Sequence, residues 1–163
     1  MRVERTISYS ADLASVQQSY ISTELAQARA KTGNLAQPKH VISNEDTTPL
    51  AVTSLMVPAD KLPEKARRLI KRDINATITQ QWDGTGPDSA TAQFTVDAGS
   101  LPVSVTLTQT LRQDGDTTSC TFAGDVKVNV PFVGAKLEQI AVSKVDELIN
   151  GDQKLVEQIM ASK

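Results

Sequence analysis

The fold is decided by residues 117–138, which read TTSCTFAGDVKVNVPFVGAKLE. Apolar and polar residues alternate as far as Val130, which is the period of a half-buried β-strand. Pro131 ends the strand because proline fixes φ and has no N–H for a ladder, while Gly134 allows a helix to begin close to neighbouring backbone. Residues 133–160 then carry one apolar stripe, which predicts a long amphipathic helix lying on a sheet. A helix laid across a curved sheet can leave a hollow, so this join favours a hydrophobic pocket over a catalytic triad or a nucleic-acid surface.

The composition bounds the class of protein. A chain of 163 residues with 39% hydrophobic residues fits one globular domain, residues 1–163, that buries about 70% of its unfolded surface. A net charge of -2 provides no field that would hold a polyanion, so we expect no nucleic-acid partner. The single cysteine, Cys120, excludes an internal disulfide and fits a reducing compartment. The charged first residues lack the apolar core of a secretory signal, and no stretch approaches the roughly 20 apolar residues of a membrane span, so the predicted location is cytoplasmic.

The rest of the chain divides into short elements. Alternation predicts a first strand at residues 2–9, after which Ser10 or Asp12 can cap a helix that restarts at residues 22–24 and ends at Gly33. Short polar turns, at residues 44–46, 83–87, 98–100 and 113–116, separate the later strands and predict antiparallel neighbours. A longer connector, residues 58–72, has helical spacing and predicts a short lid helix. Six further strands are predicted, at residues 40–45, 50–57, 73–82, 90–98, 103–112 and 117–130.

A strand, one or two short helices, six strands and a long helix form the element order of the helix-grip fold. The local signals are Leu62-Pro63 followed by Arg67-Arg68-Leu69, Trp82 at the end of the fourth strand, and above all residues 126–138. On these residues the chain resembles the START-like (SRPBCC) superfamily of polyketide cyclases, lipid-transfer domains and pathogenesis-related plant proteins. More narrowly, it resembles an uncharacterised bacterial branch of that superfamily, a domain of unknown function. The resemblance implies an α+β fold in which a curved seven-stranded antiparallel sheet wraps around the long carboxyl-terminal helix.

The phase of each predicted strand indicates which side chains face the hollow. Apolar walls with a few hydrogen-bonding groups suit a mostly apolar ligand, and 4% aromatic residues leave room for one. For the polar positions the alternative is that they lie at strand ends and are merely hydrated. One bulge would reverse every assignment beyond it, and Gly124 is the expected place for a bulge or a sharp bend. The predicted pocket residues are Arg5, Ser54, Met56, Gln80, Trp82, Phe94, Gln109, Phe122, Leu137, Ala141 and Val145.

The connector also carries a basic cluster interleaved with apolar residues, which could rest on an anionic membrane while a lid opens. The alternative is the solvated face of a surface helix. The predicted membrane-contact residues are Lys65, Arg68 and Arg72.

Little in the sequence points to catalysis. His40 is the only histidine, which excludes a histidine-based metal cluster, and no catalytic residue, metal site or cofactor is predicted. Glu138 falls in the opening turns of the long helix, where a structural role is expected over ligand contact. We therefore expect binding or carriage of a small hydrophobic or amphipathic molecule, lipid-like or polyketide-like, in the cavity between sheet and helix. The alternatives are an enzyme of cyclase or dehydratase type, with Arg5 as the only strong ionic candidate on an inward phase, and a protein-interaction module.

Overall fold

The computed structural model describes residues 1–84, 86–99 and 101–163. In these residues the chain forms seven strands, four α-helices and one short 3-10 turn, Ala59–Lys61. The connector, residues 58–72, contains a short α-helix, as its spacing predicted. The elements in chain order are β1 (Arg2–Tyr9), α1 (Leu13–Ile21), α2 (Thr23–Thr32), β2 (Lys39–Ser43), β3 (Leu50–Val57), α3 (Glu64–Arg67), β4 (Ile74–Trp82), β5 (Ser89–Asp97), β6 (Val103–Asp114), β7 (Thr117–Val128) and α4 (Gly134–Ala161).

The strands form one curved antiparallel sheet in the order β1-β7-β6-β5-β4-β3-β2. Strands β2 to β7 are a meander, and β1 closes on the last strand, which places α1 and α2 beside α4 on the concave face. The predicted α+β architecture is therefore confirmed. Two predicted turns include positions outside the described residues, Thr85 and Ser100.

Gly124 does not mark a bulge, because one residue faces one residue on both sides of it, Val3 on β1 and Leu107 on β6. A Cβ at this position would collide with the carbonyl oxygen of Thr106 and would lie 2.8 Å from the Cα of Leu107. Glycine therefore permits β6 and β7 to approach closely at this point, and the strand phase is kept along the whole of β7.

Helices α1 and α2 begin at capping residues that the sequence predicted. The Asp12 carboxylate accepts a hydrogen bond from Ser15 N at 2.8 Å, and the Ser22 hydroxyl accepts one from Leu25 N at 3.2 Å. At the start of α4, a Cβ on Gly134 would lie 2.9 Å from the carbonyl oxygen of Val128, so the glycine permits the close join that the sequence predicted.

The core lies between the concave face of the sheet and the second half of α4. Its centre holds an edge-to-face chain of rings, with centroid separations of 6.2 Å for Tyr9 and Tyr20, 6.1 Å for Tyr20 and Phe122, and 5.8 Å for Phe122 and Phe94. The middle of the sheet is consequently packed rather than hollow. On α4 the buried residues are Val145, Ile149, Asp152, Val156 and Ile159.

Candidate functional site

An apolar cavity of about 440 Å³ lies between the sheet and α4, at the end of the sheet where α4 begins. It is enclosed by the first turns of α4, by the connector and by the neighbouring ends of the strands. The sheet contributes Ile74 from β4, Val103 from β6 and Val128 from β7. Among the described residues that line it, Lys144 is the only one with a charged side chain. A cavity of this size and composition is typical of small-molecule binding sites.

The first half of α4 forms one wall because its apolar residues are not buried by the sheet. Leu137, Ile140 and Ala141 follow the i, i+3, i+4 spacing of a helix face, and all three are only half-buried. One turn later, Val145 is buried in the core. Helix α4 is thus embedded along its second half and leaves apolar surface uncovered along its first.

The connector forms the opposite wall. Pro63 precedes α3, and Ala66 is the buried residue of that short helix. Leu62, Leu69 and Ile70 also line the cavity, although Leu69 is 55% exposed. A helix of four residues gains little stability from its own hydrogen bonds. The position of this wall therefore depends on the packing of its apolar residues, of which Ala66 is buried.

Lys144 lies at the polar edge of the cavity and also lines an adjoining surface groove with Lys65 and Lys136. Its ammonium group is 3.1 Å from a carboxylate oxygen of Glu147. Both side chains are more than half exposed, so this ion pair holds the lysine weakly. The ammonium group can therefore turn toward an acidic group on a molecule that occupies the cavity.

Two of the predicted pocket residues, Leu137 and Ala141, line this cavity. Gln80, Trp82, Phe94, Gln109 and Phe122 face inward as predicted but are buried in the packed core. The two amides are hydrogen-bonded, since Gln80 Nε2 donates to Gln109 Oε1 at 2.8 Å across the intervening strand β5. Gln109 Nε2 in turn donates to Cys120 Sγ at 3.5 Å. The inward phase of β4, β5, β6 and β7 was thus correct, although these side chains do not line the cavity.

The phase predicted for β3 was wrong. Ser54 and Met56 lie on the outer face, with Met56 47% exposed, and the buried residues of the strand are Ala51, Thr53 and Leu55. Strand β3 has apolar residues on both faces, so its alternation alone does not identify the inner one. The position of Thr53 opposite the buried Ile78 of β4 fixes the phase.

Arg5 lies toward α4 as its phase predicted, but it is exposed at the edge of the sheet. Its guanidinium donates to Asp146 Oδ2 of α4 at 2.8 Å and to the carbonyl oxygen of Glu4 at 2.6 Å. An exposed arginine that is paired with a carboxylate lacks the desolvation expected of a catalytic group. Arg5 fastens the edge strand to the helix instead.

A buried ion pair that the sequence analysis missed joins α2 to α4. Arg29 Nε and Nη2 donate to the two carboxylate oxygens of Asp152 at 2.9 Å and 2.6 Å. Burial alone would lower the pKa of Arg29, but the Asp152 charge and its hydrogen bonds hold that pKa above its usual value. The signal was present in the sequence, because Asp152 continues the apolar stripe of α4 between Ile149 and Val156.

The other buried ionisable groups form a chain in the core. The hydroxyls of Tyr9 and Tyr20 are 2.6 Å apart, and the Cys120 thiol is 3.8 Å from the Tyr20 hydroxyl. Desolvation raises the pKa of both tyrosines, and it raises the pKa of Cys120 to about 12. These groups are neutral at ordinary pH, and they do not line the apolar cavity.

His40 and Glu138 both connect separate parts of the fold through polar contacts. The two ring nitrogens of His40 lie 2.7 Å from the Thr53 hydroxyl and 2.8 Å from the carbonyl oxygen of Ile21. Glu138 accepts a hydrogen bond from Val128 N at 3.3 Å and pairs with the Met1 ammonium group at 3.1 Å. That ammonium group, together with the Val128 hydrogen bond, lowers the pKa of Glu138. In the described residues, no group of three histidine, cysteine, aspartate or glutamate side chains is arranged to hold a metal ion.

The membrane-contact candidates Lys65, Arg68 and Arg72 are all exposed. Lys65 and Arg68 line a second surface groove beside the cavity, and Arg68 is paired with Glu64 at 3.3 Å. Within the described part of the chain, no helix has the length and apolar character needed to cross a membrane.

Comparison with known proteins identifies relatives in sequence and in fold. A family profile described as "Protein of unknown function (DUF2505)" matches residues 4–159. An uncharacterized protein of Mycobacterium tuberculosis, Rv0481c, is 25% identical over 69% of this chain. That match spans 66% of the relative's own length, which is just under two thirds.

Solved structures share the fold at low sequence identity. TTHA0849 from Thermus thermophilus superposes with a TM-score of 0.63 at 12% identity, and each chain is covered completely. Dicamba monooxygenase bound to 3,6-dichlorosalicylic acid superposes with a TM-score of 0.60 at 14% identity, over 98% of this chain and 49% of that one. Norcoclaurine synthase from Thalictrum flavum superposes with a TM-score of 0.52 at 10% identity, over 100% of this chain and 87% of that one. These superpositions show that the chain shares its fold with proteins of different names and sources.

Proposed function

The chain belongs to the DUF2505 family of proteins of unknown function, and we propose that it binds a small amphipathic molecule in the apolar cavity. The apolar part of the ligand lies between the first half of α4 and the connector. An acidic group of the ligand lies at the edge, beside Lys144.

The composition of the cavity lining carries this proposal. Of the described lining residues, all except Lys144 are apolar, and those of α4 are half-buried although they belong to an amphipathic stripe. A ligand that covers Leu137, Ile140 and Ala141 removes this surface from water, which contributes about 25 cal/mol for each Å² buried. The cavity thus favours a hydrocarbon or aromatic group over a highly polar one.

Lys144 supports the acidic part of the proposal. Because its partner Glu147 is exposed, exchanging that carboxylate for one on a ligand at the less hydrated edge of the cavity is favourable. Lys65 and Lys136 add positive charge beside the same edge. The ligand of dicamba monooxygenase, 3,6-dichlorosalicylic acid, is an aromatic acid of this chemical class.

Carriage or sensing fits the cavity better than a cyclase or dehydratase reaction does. Such a reaction needs a desolvated acid or base beside the substrate. The buried ionisable groups of the described core, including Tyr20, Cys120 and Asp152, are not among the lining residues. We place this activity in the cytoplasm, which the buried free thiol of Cys120 supports.

Native mass spectrometry of the intact protein, followed by solvent extraction, tests whether a stoichiometric apolar acid is carried. Titration with 1-anilinonaphthalene-8-sulfonate, an aromatic anion whose fluorescence rises in apolar surroundings, tests the site directly. Ala141→Trp fills the cavity and is expected to abolish saturable binding of the probe. Ala14→Trp adds the same side chain at an exposed position of α1 and is expected to leave binding unchanged.

Lys144→Gln tests the acidic group. We expect about a fivefold to tenfold weaker probe affinity, equivalent to about 1–1.4 kcal/mol, with Lys154→Gln on the same helix as the control. Equal affinity in wild type and Ala141→Trp would overturn the cavity as the binding site. Equal probe affinity in wild type and Lys144→Gln would overturn the acidic group of the ligand and would keep only its apolar part.

A further inference from the structure

Two large apolar side chains are exposed in segments that adjoin the cavity. Leu69 of the connector is 55% exposed, and Phe132, in the loop before α4, is fully exposed. Phe132 also has a φ of 69°, a left-handed conformation that is costly for a residue with a Cβ. Strained residues of this kind persist where surrounding structure fixes them, and they cluster at functional positions. An exposed phenylalanine held in such a turn is a feature that core packing does not explain.

These side chains are flanked by positive charge. The basic groove is lined by Lys65, Arg68 and Lys136 together with the apolar Leu69, Val133, Leu137 and Ile140, and Phe132 immediately precedes Val133. All the charged residues among its described lining are basic. The connector carries six basic and two acidic residues, a net charge of +4, in a chain whose net charge is -2. Positive charge is therefore concentrated beside the exposed apolar side chains.

We propose that this surface, formed by Phe132, Leu69, Lys65, Arg68 and Lys136, docks on an anionic lipid bilayer. Phe132 and Leu69 enter the boundary between headgroups and acyl chains, while the basic side chains remain among the lipid phosphates. Such cations gain from the negative potential of an anionic membrane surface, and that gain falls with salt. Exposed apolar side chains flanked by basic ones distinguish this surface from an ordinary solvated helix face.

A second copy of the chain fits the same surface poorly. In a symmetric dimer the same patch faces itself, so the +4 connector and Lys136 would meet their own copies. Like charges at such short range oppose association. A bilayer containing acidic lipids has an apolar interior and a negatively charged surface. It therefore complements both the exposed apolar side chains and the basic side chains of the patch.

Docking would bring the apolar cavity next to the bilayer. Leu69, Leu137 and Ile140 line both the cavity and the basic groove, so the two are separated by a single layer of side chains. Because the docking inference rests on exposed residues, it stands whether or not the cavity holds a ligand. Vesicle binding and probe binding can therefore be measured as separate properties.

Flotation with vesicles of phosphatidylcholine, with and without phosphatidylglycerol, tests the proposal. We expect binding to the anionic vesicles that is strong at about 0.1 M salt and lost at about 1 M, where the screening length falls from about 10 Å to 3 Å. Removing Lys65, Arg68 and Lys136 by Gln substitution is expected to weaken partitioning by about fivefold per charge. The control with the same net charge replaces three exposed lysines elsewhere with Gln, namely Lys31, Lys39 and Lys154.

The role of Phe132 is tested with two variants. Phe132→Gly removes the ring and suits the positive φ, so the fold is kept and vesicle binding is expected to fall about tenfold. Val41→Gly removes an exposed apolar side chain from β2 and serves as the control for loss of apolar surface. Phe132→Trp keeps an aromatic side chain and is expected to show a blue-shifted emission on anionic vesicles, against the background of the fully buried Trp82.

Several results would overturn the docking proposal. These are equal binding to neutral vesicles, equal loss in the distant lysine control, and no emission shift for Phe132→Trp at saturating anionic vesicle. A dimer in sedimentation velocity that dissociates in Phe132→Gly would assign the surface to a second copy instead.

Discussion

Replacing Asp152 with Asn tests whether the buried ion pair holds α4 against α2. The exposed fractions of the Arg29 and Asp152 side chains are 6% and 2%, and two hydrogen bonds join them. The substitution keeps the size of the side chain but removes its charge. A guanidinium that cannot lose its proton is then left buried without a counter-ion.

The expected cost follows from that geometry. Removing one partner of a buried pair costs about 3–5 kcal/mol of unfolding free energy, because the other charge stays desolvated. For a chain of this length the corresponding fall in Tm is about 6–20 °C. The double variant Arg29→Met with Asp152→Leu removes both charges and replaces them with apolar side chains. It should recover most of the loss, since burying an ion pair is itself expensive.

Urea unfolding measures each variant, with the fluorescence of the buried Trp82 and far-UV circular dichroism as two probes. Glu147→Gln is the control, because it removes a carboxylate from an exposed pair on the same helix and is expected to leave the midpoint unchanged. A loss below about 1 kcal/mol in Asp152→Asn would refute the reasoning. It would mean that water reaches Arg29, or that the guanidinium finds another acceptor.

Three further predictions concern the core. Gln109→Leu leaves the Gln80 amide without its acceptor and should lower the unfolding free energy, measured in urea, by about 1–3 kcal/mol. The double variant Gln80→Leu with Gln109→Leu should regain stability. It should also keep the wild-type affinity for the probe, since neither residue lines the cavity. Gly124→Ala should destabilise the fold strongly because the new Cβ meets the Thr106 carbonyl. Gly151→Ala in α4 should instead raise the unfolding free energy by about 0.5–1 kcal/mol, because a Cβ there meets nothing within 4 Å. The tyrosine pKa values are raised by burial, so the unfolded state loses those protons first and stability should fall as the pH rises above about 10. Absorbance at a tyrosinate wavelength should then change together with the circular dichroism, and ionisation that precedes unfolding would contradict the burial.

The element order and the helix caps could be predicted because they depend on local chemistry. Asp12 and Ser22 accept hydrogen bonds from N–H groups three residues away. Strand β7 ends at Val128, three residues before Pro131 and two before the predicted end at Val130. The strands β4 to β7 present clear alternation, so their inward faces were also assigned correctly. These features need no knowledge of what the sheet packs against.

The phase of β3 and the place of the cavity could not be obtained in this way. Strand β3 is apolar on both faces, and its inner face is selected by distant contacts, including that of Thr53 with His40. Gln80 and Gln109 face inward, but whether they line a hollow or bond to each other depends on their distance across β5. The exposed Phe132 reflects a backbone angle that no alternation pattern records.

The uneven burial of α4 connects these observations. Its second half is held by the core and by the Arg29–Asp152 pair, whereas its first half meets a connector with only one four-residue α-helix. The connector wall of the cavity is therefore separate from the packed rings and from the ion pair. The loop that contains Phe132 lies directly before this first half, so contacts made by the loop act on the wall of the cavity rather than on the core. One helix thus joins a packed part of the fold to a part with incompletely covered apolar surface, and the residues proposed for ligand and lipid contact all lie in the second part.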